Sequence, residues 1–317
     1  MLHNRNSCFC TGELSRVYNK HDLGKIFAIN EIIGLVFTAL ASLTPVLFTG
    51  INFHIGWWHV TTNNFIGLFL AVLASIVWLV AYFFLPNLTL DPIYKEIEDE
   101  IYKKDSKETE SNLWETKDIV QRADVLFIVL TQAFLNAQHH QMELLINMTA
   151  SLNFHQNISE VSLASTIGIV GAALIMLAIR YRLLNSSTNI LFLFALSFML
   201  AAVLGSYLNV IITSGIRDDI ILKATIAFVV LLNTLQAFGA GCYTKIILFS
   251  MAPGHSASII ESHRKASASF FICVAFFTAS AVFSFQYLVT PVYNLISLMI
   301  VVVLLYKRRS YIHSIKL

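Results

Sequence analysis

The 317-residue chain is 56% hydrophobic and 13% charged, with a formal net charge of +2 and a mean hydropathy of +0.69. Soluble domains carry about 25% charged residues, so the composition excludes an ordinary soluble domain or soluble enzyme, and the small net charge gives nucleic acid no hold. The missing charge is concentrated in long apolar runs, as a hydrocarbon core demands, because a charge near the bilayer centre costs at least ~2.5–3.5 kcal/mol. The lipid bilayer is therefore the first expected partner, and an all-α, polytopic membrane helix bundle the expected fold class.

In chain order, residues 1–26 come first. Arg5, Glu13, Arg16, Lys20, Asp22 and Lys25 make them too polar for the apolar core of a cleavable signal peptide. About 20 apolar residues cross a bilayer, and eight runs qualify: 27–48, 65–85, 125–146, 161–179, 190–212, 220–249, 266–287 and 290–306. With eight spans both termini share one side, together with the segments around 87–122, 180–187 and 245–265. That side holds 19 of the 21 Lys and Arg residues, and the other only Arg217 and Lys223. Basic residues favour cytoplasmic loops, so both termini are expected in the cytoplasm.

Between the second and third spans, residues 87–122 hold 10 of the 19 acidic residues. Asp91 followed by Pro92 is a helix start, and Ile93, Ile97 and Ile101 recur every four residues, which predicts an amphipathic cytoplasmic helix. Tyr94 to Ile97 also fits a loose tyrosine sorting pattern, against a structural use of the same two residues. Asn147-Met148-Thr149 and Asn157-Ile158-Ser159 are glycosylation sequons in the loop after the third span, expected on the non-cytoplasmic side. Four cysteines make no disulfide framework, and no spacing resembles a zinc site; neither a metal nor a cofactor is expected.

The third span carries the chemistry. Gln132, Asn136, His139, His140 and Glu143 recur at spacings of three and four and share a helix face. Facing other helices or a water-filled cavity, they would line a solute path or exchange protons through imidazole. The alternative is that His139, His140 and Glu143 sit hydrated at the membrane surface. Asn233 and Gln236, in the middle of the sixth span and followed by Gly239 and Gly241, fit interhelical packing as well as a path. Asn30 and Glu31 stand at the start of the first span, where they can mark its edge. No catalytic constellation is present, and the chain is expected not to be an enzyme.

Two spans, a charged loop with an amphipathic helix, then six spans: this order resembles the later two-thirds of the major facilitator superfamily. Tyr243-Thr244-Lys245-Ile246-Ile247 with Pro253, Gly254 and Ser258 is similar to that family's connection between its tenth and eleventh helices, although the Pro is displaced and the usual Gln-Gly pair is absent. Arg180-Tyr181-Arg182 stands at its short basic turn. Gly24, Lys25 and Gly34 resemble its fifth helix without the usual Gly-Pro. Asp124-Val125-Leu126-Phe127 is similar to the lysosomal branch called major facilitator domain-containing protein eight, with Gln138 and His139 where that branch has Glu-Thr.

The resemblance implies that residues 1–86 are a remnant of an N-terminal half, 87–122 a linker, and 123–317 a six-helix C-terminal half. It implies an incomplete major-facilitator-like fold covering the fifth to twelfth helices. The expected function is transport of an unidentified small solute by alternating access, with proton coupling one option, by a truncated, degenerate or homo-oligomeric protein. An endolysosomal or plasma membrane is the expected location. The alternative is a receptor-like or scaffolding membrane protein that does not transport.

Overall fold

The computed structural model describes residues 20–84, 121–183, 218–251 and 257–282, with positions 296 and 299. The expected span 190–212, most of 290–306, the linker helix and both termini lie outside the described residues. The described chain is mostly helical: α1 (Lys20–Leu47), a hairpin of β1 (Asn52–Ile55) and β2 (Trp58–Thr61), α2 (Thr62–Phe84), α3 (Ala123–Met148), α4 (Ile158–Leu183), α5 (Asp219–Met251) and α6 (Ala257–Val282).

Hydroxyl side chains fit into these apolar helices by turning inward on their own backbone. Thr38 donates to the Gly34 carbonyl at 2.9 Å, Thr131 to Phe127 at 2.7 Å, Thr166 to Ser162 at 2.8 Å and Thr234 to Val230 at 2.7 Å. Each donor is thereby satisfied within its own segment, which is the condition for placing it in an apolar surround.

The hairpin between α1 and α2 is not among the elements that periodicity predicts. Ile55 pairs with Trp58 across a two-residue turn, and Gly56 takes φ +60°, the left-handed conformation that a primed hairpin turn puts at its first central residue. His59 Nε2 lies 2.6 Å from Asn52 Oδ1, and the His54 ring stacks on His59 at 4.4 Å. Asn64 then ties hairpin to helix, accepting from the Thr61 amide at 2.7 Å and donating to the His59 carbonyl at 2.8 Å.

α5 is the hub. It packs on α4, α3 and α1, while α6 packs on α3. The main core draws Leu35 and Ala39 from α1, Met142 and Leu145 from α3, Val161, Ala164 and Ile169 from α4, and Leu222, Ile226 and Val229 from α5. Helix directions follow from which residues meet. Gln156 reaches Asp219 and Glu160 reaches Lys223, both across 63 positions, so α4 and α5 run parallel. Gln132 meets Thr244, Gln138 meets Gln236 and His139 meets Asn233, with separations shrinking from 112 to 98 to 94, so α3 and α5 run antiparallel.

α4 and α5 approach closely because glycine lets them. A Cβ on Gly168 would run into the Ala227 carbonyl oxygen and lie 3.0 Å from the Leu231 nitrogen; one on Gly171 would lie 2.8 Å from Leu231 Cδ1. Small residues at a helix crossing give dispersion contacts to the backbone itself, the main source of helix association where no hydrophobic force acts.

The turn between α3 and α4 is built tightly. A π-helical turn, Thr149–Asn153, ends α3, the Gln156 amide closes back on the Ala150 carbonyl at 3.0 Å, and His155 sits at φ 52°. Glu160 then caps α4 from inside, accepting from the Asn157 amide at 3.4 Å.

The outward faces are as apolar as the inward ones. On α4, Leu163, Ile167, Val170 and Leu174 form an exposed stripe opposite the buried Ala164, Ile169, Ala172 and Met176; on α6, Phe270, Val274 and Phe277 do the same. A helix apolar all round belongs in a large core or in lipid. Among the described residues three helices are long and apolar enough to cross a membrane, Ile29–Leu47, Ile158–Ala178 and Asp219–Gly239, with a shorter apolar run at Asn64–Val80.

Two outcomes follow. Gly168→Leu has backbone in its way and should lower the melting temperature of the detergent-purified protein, by roughly 1–3 kcal/mol of overpacking, while Gly171→Ala, which meets only the movable tip of Leu231, should cost less. Of the two sequons, Asn157 is exposed at the helix cap, whereas Asn147 lies within α3 and its Thr149 is buried. Asn157→Gln should therefore abolish the gel shift produced by amidase deglycosylation, and Asn147→Gln should leave it unchanged.

Candidate functional site

The polar face expected on α3 exists, but the fold divides it. Gln132 is buried and its Oε1 accepts from the Thr244 hydroxyl of α5 at 2.5 Å. One turn on, Asn136 is half-buried and makes no side-chain hydrogen bond among the described residues. His139 and Asn233 clasp reciprocally: His139 Nδ1 lies 3.2 Å from the Asn233 carbonyl oxygen, and Asn233 Nδ2 donates to the His139 carbonyl at 3.1 Å. Gln236 Nε2 donates to Gln138 Oε1 at 3.3 Å. Gln132, His139, Asn233 and Gln236 therefore form one seam joining α3 to α5.

The seam is not fully satisfied. Asn233 Oδ1 and Gln236 Oε1 are buried and have no donor among the described residues. Buried acceptors are nearly always paired with protein or ordered water, so these two oxygens are where a polar guest gains most.

His140 and Glu143 turn the other way. His140 Nδ1 lies 3.4 Å from Glu143 Oε2, and its ring sits 6.0 Å from that of Phe276 on α6. His139, His140 and Glu143 nonetheless stay together, with one ligand atom of each within 4.8 Å of the others. The sequence spacing shows no metal pattern here because none of the familiar ligand motifs uses adjacent histidines; the grouping appears once the helix and its neighbours orient the rings.

A second polar group lies at the opposite end of the bundle. The expected spans 27–48 and 220–249 already hold Glu31, near the start of one, and Lys245, near the end of the other, where the cytoplasmic connection is expected to begin. The structure places both inside helices: α1 begins at Lys20, about three turns before Glu31, and α5 runs past Lys245 to Met251. The two form an ion pair between α1 and α5, with Lys245 5% and Glu31 25% exposed. α6 also begins earlier than the expected span, at Ala257, and carries the buried Glu261, which takes both Arg264 Nε at 2.6 Å and Arg264 Nη2 at 2.5 Å. Arg264 and Lys265 act electrostatically on Glu31 as well. Two acids and three bases carried by α1, α5 and α6 thus lie at this end of the bundle. No sequence signal marks Glu31 and Lys245 as partners, since 214 positions separate them.

At the turn end a smaller group staples α4 to α5. Lys223 donates to Glu160 at 3.1 Å and to Asp219 at 2.7 Å. It pairs with one acid on each of the two helices. An apolar cleft beside it, lined by Ile146, Phe154, Leu222 and Val229 among others, presents no polar surface for a solute.

These features define a mostly helical protein, with three helices long and apolar enough to cross a membrane and polar contacts joining its helices. Compared with protein-family models and with curated proteins, the chain matches none.

The ion pair between α1 and α5 makes a firm demand. Glu31→Gln leaves the buried Lys245 ammonium without its carboxylate, and breaking such a pair costs on the order of 3 kcal/mol. Thermal unfolding in detergent should show that loss for Glu31→Gln and for Lys245→Met singly, and recovery of at least half of it in the double variant. A single-variant cost within the ±0.5 kcal/mol of ordinary surface changes would mean the pair holds nothing.

Proposed function

We propose that this chain is a multi-pass membrane protein that moves a small solute by alternating access, built like the later two-thirds of a major facilitator transporter. The observation that carries the reading is the Glu31–Lys245 ion pair between α1 and α5. A buried ionisable residue such as Lys245 is costly unless it is paired, so the pair ties its two helices to each other. This pair lies where a helix from the expected first half meets the second, and in transporters of this architecture the halves rock against each other about a solute held between them. An ion pair across that contact can form in one arrangement and open in the other.

Three further features support it. α1 packs on α4 and α5, two helices of the expected C-terminal half. α4 and α5 run parallel, as an odd number of crossings between them requires, and residues 190–212 are the expected intervening span. Asn136, on the polar face of α3, keeps its hydrogen-bonding groups free among the described residues.

One observation favours the rival reading of a non-transporting scaffold. Gln132, His139, Asn233 and Gln236 bond to partners on the facing helix, as packing residues do. They contribute modestly each, ~0.6 kcal/mol, and a static bundle would use them in the same way.

Accessibility separates the two without knowledge of the solute. Asn136→Cys, in a chain whose four cysteines are replaced by serine, should react with a membrane-impermeant thiol reagent added to either side of sealed vesicles. A transporter exposes its path alternately, so labelling from both sides is expected. Labelling from neither side, or from one side alone under all conditions, would favour the scaffold.

A further inference from the structure

We infer that the last third of α3 carries a divalent transition-metal site made of His139, His140 and Glu143. One ligand atom from each lies within 4.8 Å of the other two. Two imidazole nitrogens and a carboxylate oxygen are a donor set for Zn2+ or a neighbouring first-row cation. Zinc bonds of about 2.0–2.2 Å in tetrahedral geometry place ligand atoms about 3.4 Å apart, so the widest separation needs to close by up to about 1.4 Å. The His140 and Glu143 side chains, 36% and 57% exposed, are free to make that movement.

The hydrogen bond behind His139 is the second observation. A carbonyl oxygen only accepts, so the contact to the Asn233 carbonyl requires the proton on Nδ1. The neutral ring then carries its lone pair on Nε2. Metal-binding histidines have this arrangement, with one nitrogen donating to a backbone carbonyl or carboxylate and the other facing the ion. Asn233 returns a bond to the His139 carbonyl, so the ring is oriented from across the helix pair.

The alternative, a plain His140–Glu143 contact at 3.4 Å with His139 serving only the seam, uses two of the three groups that lie together. Three protein ligands, of which Glu143 is exposed, leave a coordination position for water or an anion, as in open rather than structural zinc sites. A calcium or magnesium site would want oxygen ligands in place of the two rings. The inference is independent of transport, because a scaffold could hold the same ion.

The test uses the full chain, purified in detergent with a tag free of histidine, and Zn2+ competed against a chromophoric chelator. One equivalent of Zn2+ should bind, Ca2+ should not, and His139→Ala, His140→Ala and Glu143→Gln should each weaken binding at least tenfold. The double variant His54→Ala/His59→Ala controls for the hairpin pair and should bind as the parent does. If His139→Ala fails to elute as folded protein, the parent and the exposed-site variant Glu143→Gln still decide. Co2+ on the parent should give a visible d–d band that Zn2+ displaces, and Glu143→Gln should shift and weaken that band. Absence of stoichiometric Zn2+, an unaltered band in Glu143→Gln, or loss of binding in the hairpin variant alone would overturn the site.

Discussion

Polar groups inside an apolar bundle must find their partners within it, and α5 is where this chain meets that requirement. One side chain after another on α5 answers a group on a neighbour: Asn233 and Gln236 answer α3, Lys245 answers α1, Lys223 answers α4. The cost of an unmet buried amide, ~1–3 kcal/mol, is larger than the gain from most single apolar contacts with lipid-like surroundings. Helix order around α5 is therefore fixed less by the amount of apolar surface than by which polar side chain can reach which. Gly168 and Gly171 add the complementary condition, since only a close approach of α4 brings Glu160 within reach of Lys223.

The helical, membrane-compatible character of the chain is legible in composition and run length, because both follow from local residue choice. The polar face of α3 is legible too, since helical spacing by itself places Gln132, Asn136, His139 and Glu143 together. What spacing does not convey is which neighbour each residue faces. Gln138 falls off the expected stripe yet joins the seam, and His140 lies on the stripe yet turns toward α6. Glu31 and Lys245 escape for a different reason. Each stands near one end of its expected span, and only long-range packing shows that the two face each other across 214 positions. The hairpin escapes notice because four-residue strands have no period to detect; its one local signal is Gly56.

The seam and the charged cluster differ in a way that bears on motion. Side chains of the seam bond partly to backbone carbonyls, which move only with their helix, so sliding α3 along α5 breaks several contacts at once. The Glu31–Lys245 pair ends in two long, flexible side chains that can follow a tilt of α1 over some distance. In the proposed reading α3 and α5 move as a unit and α1 moves against them, a partition in which rigid and adjustable contacts fall on different surfaces.

α2 offers a consequence for how the protein is made. Its residues from Gly67 to Val80 are exposed all the way round, and its ring contacts to α1 are those of Phe48 with Phe65 and Phe69, at 5.0 and 4.9 Å. Because a two-strand hairpin with a two-residue turn joins them, the helices emerge from the ribosome in quick succession and can meet before the rest of the chain is made. Biogenesis then separates into an early step, pairing of α1 with α2, and a later one in which α1 finds its place against α4 and α5. A chain halted between the two would present the Glu31 carboxylate without its lysine, a mark by which quality-control machinery can tell an unfinished molecule from a finished one.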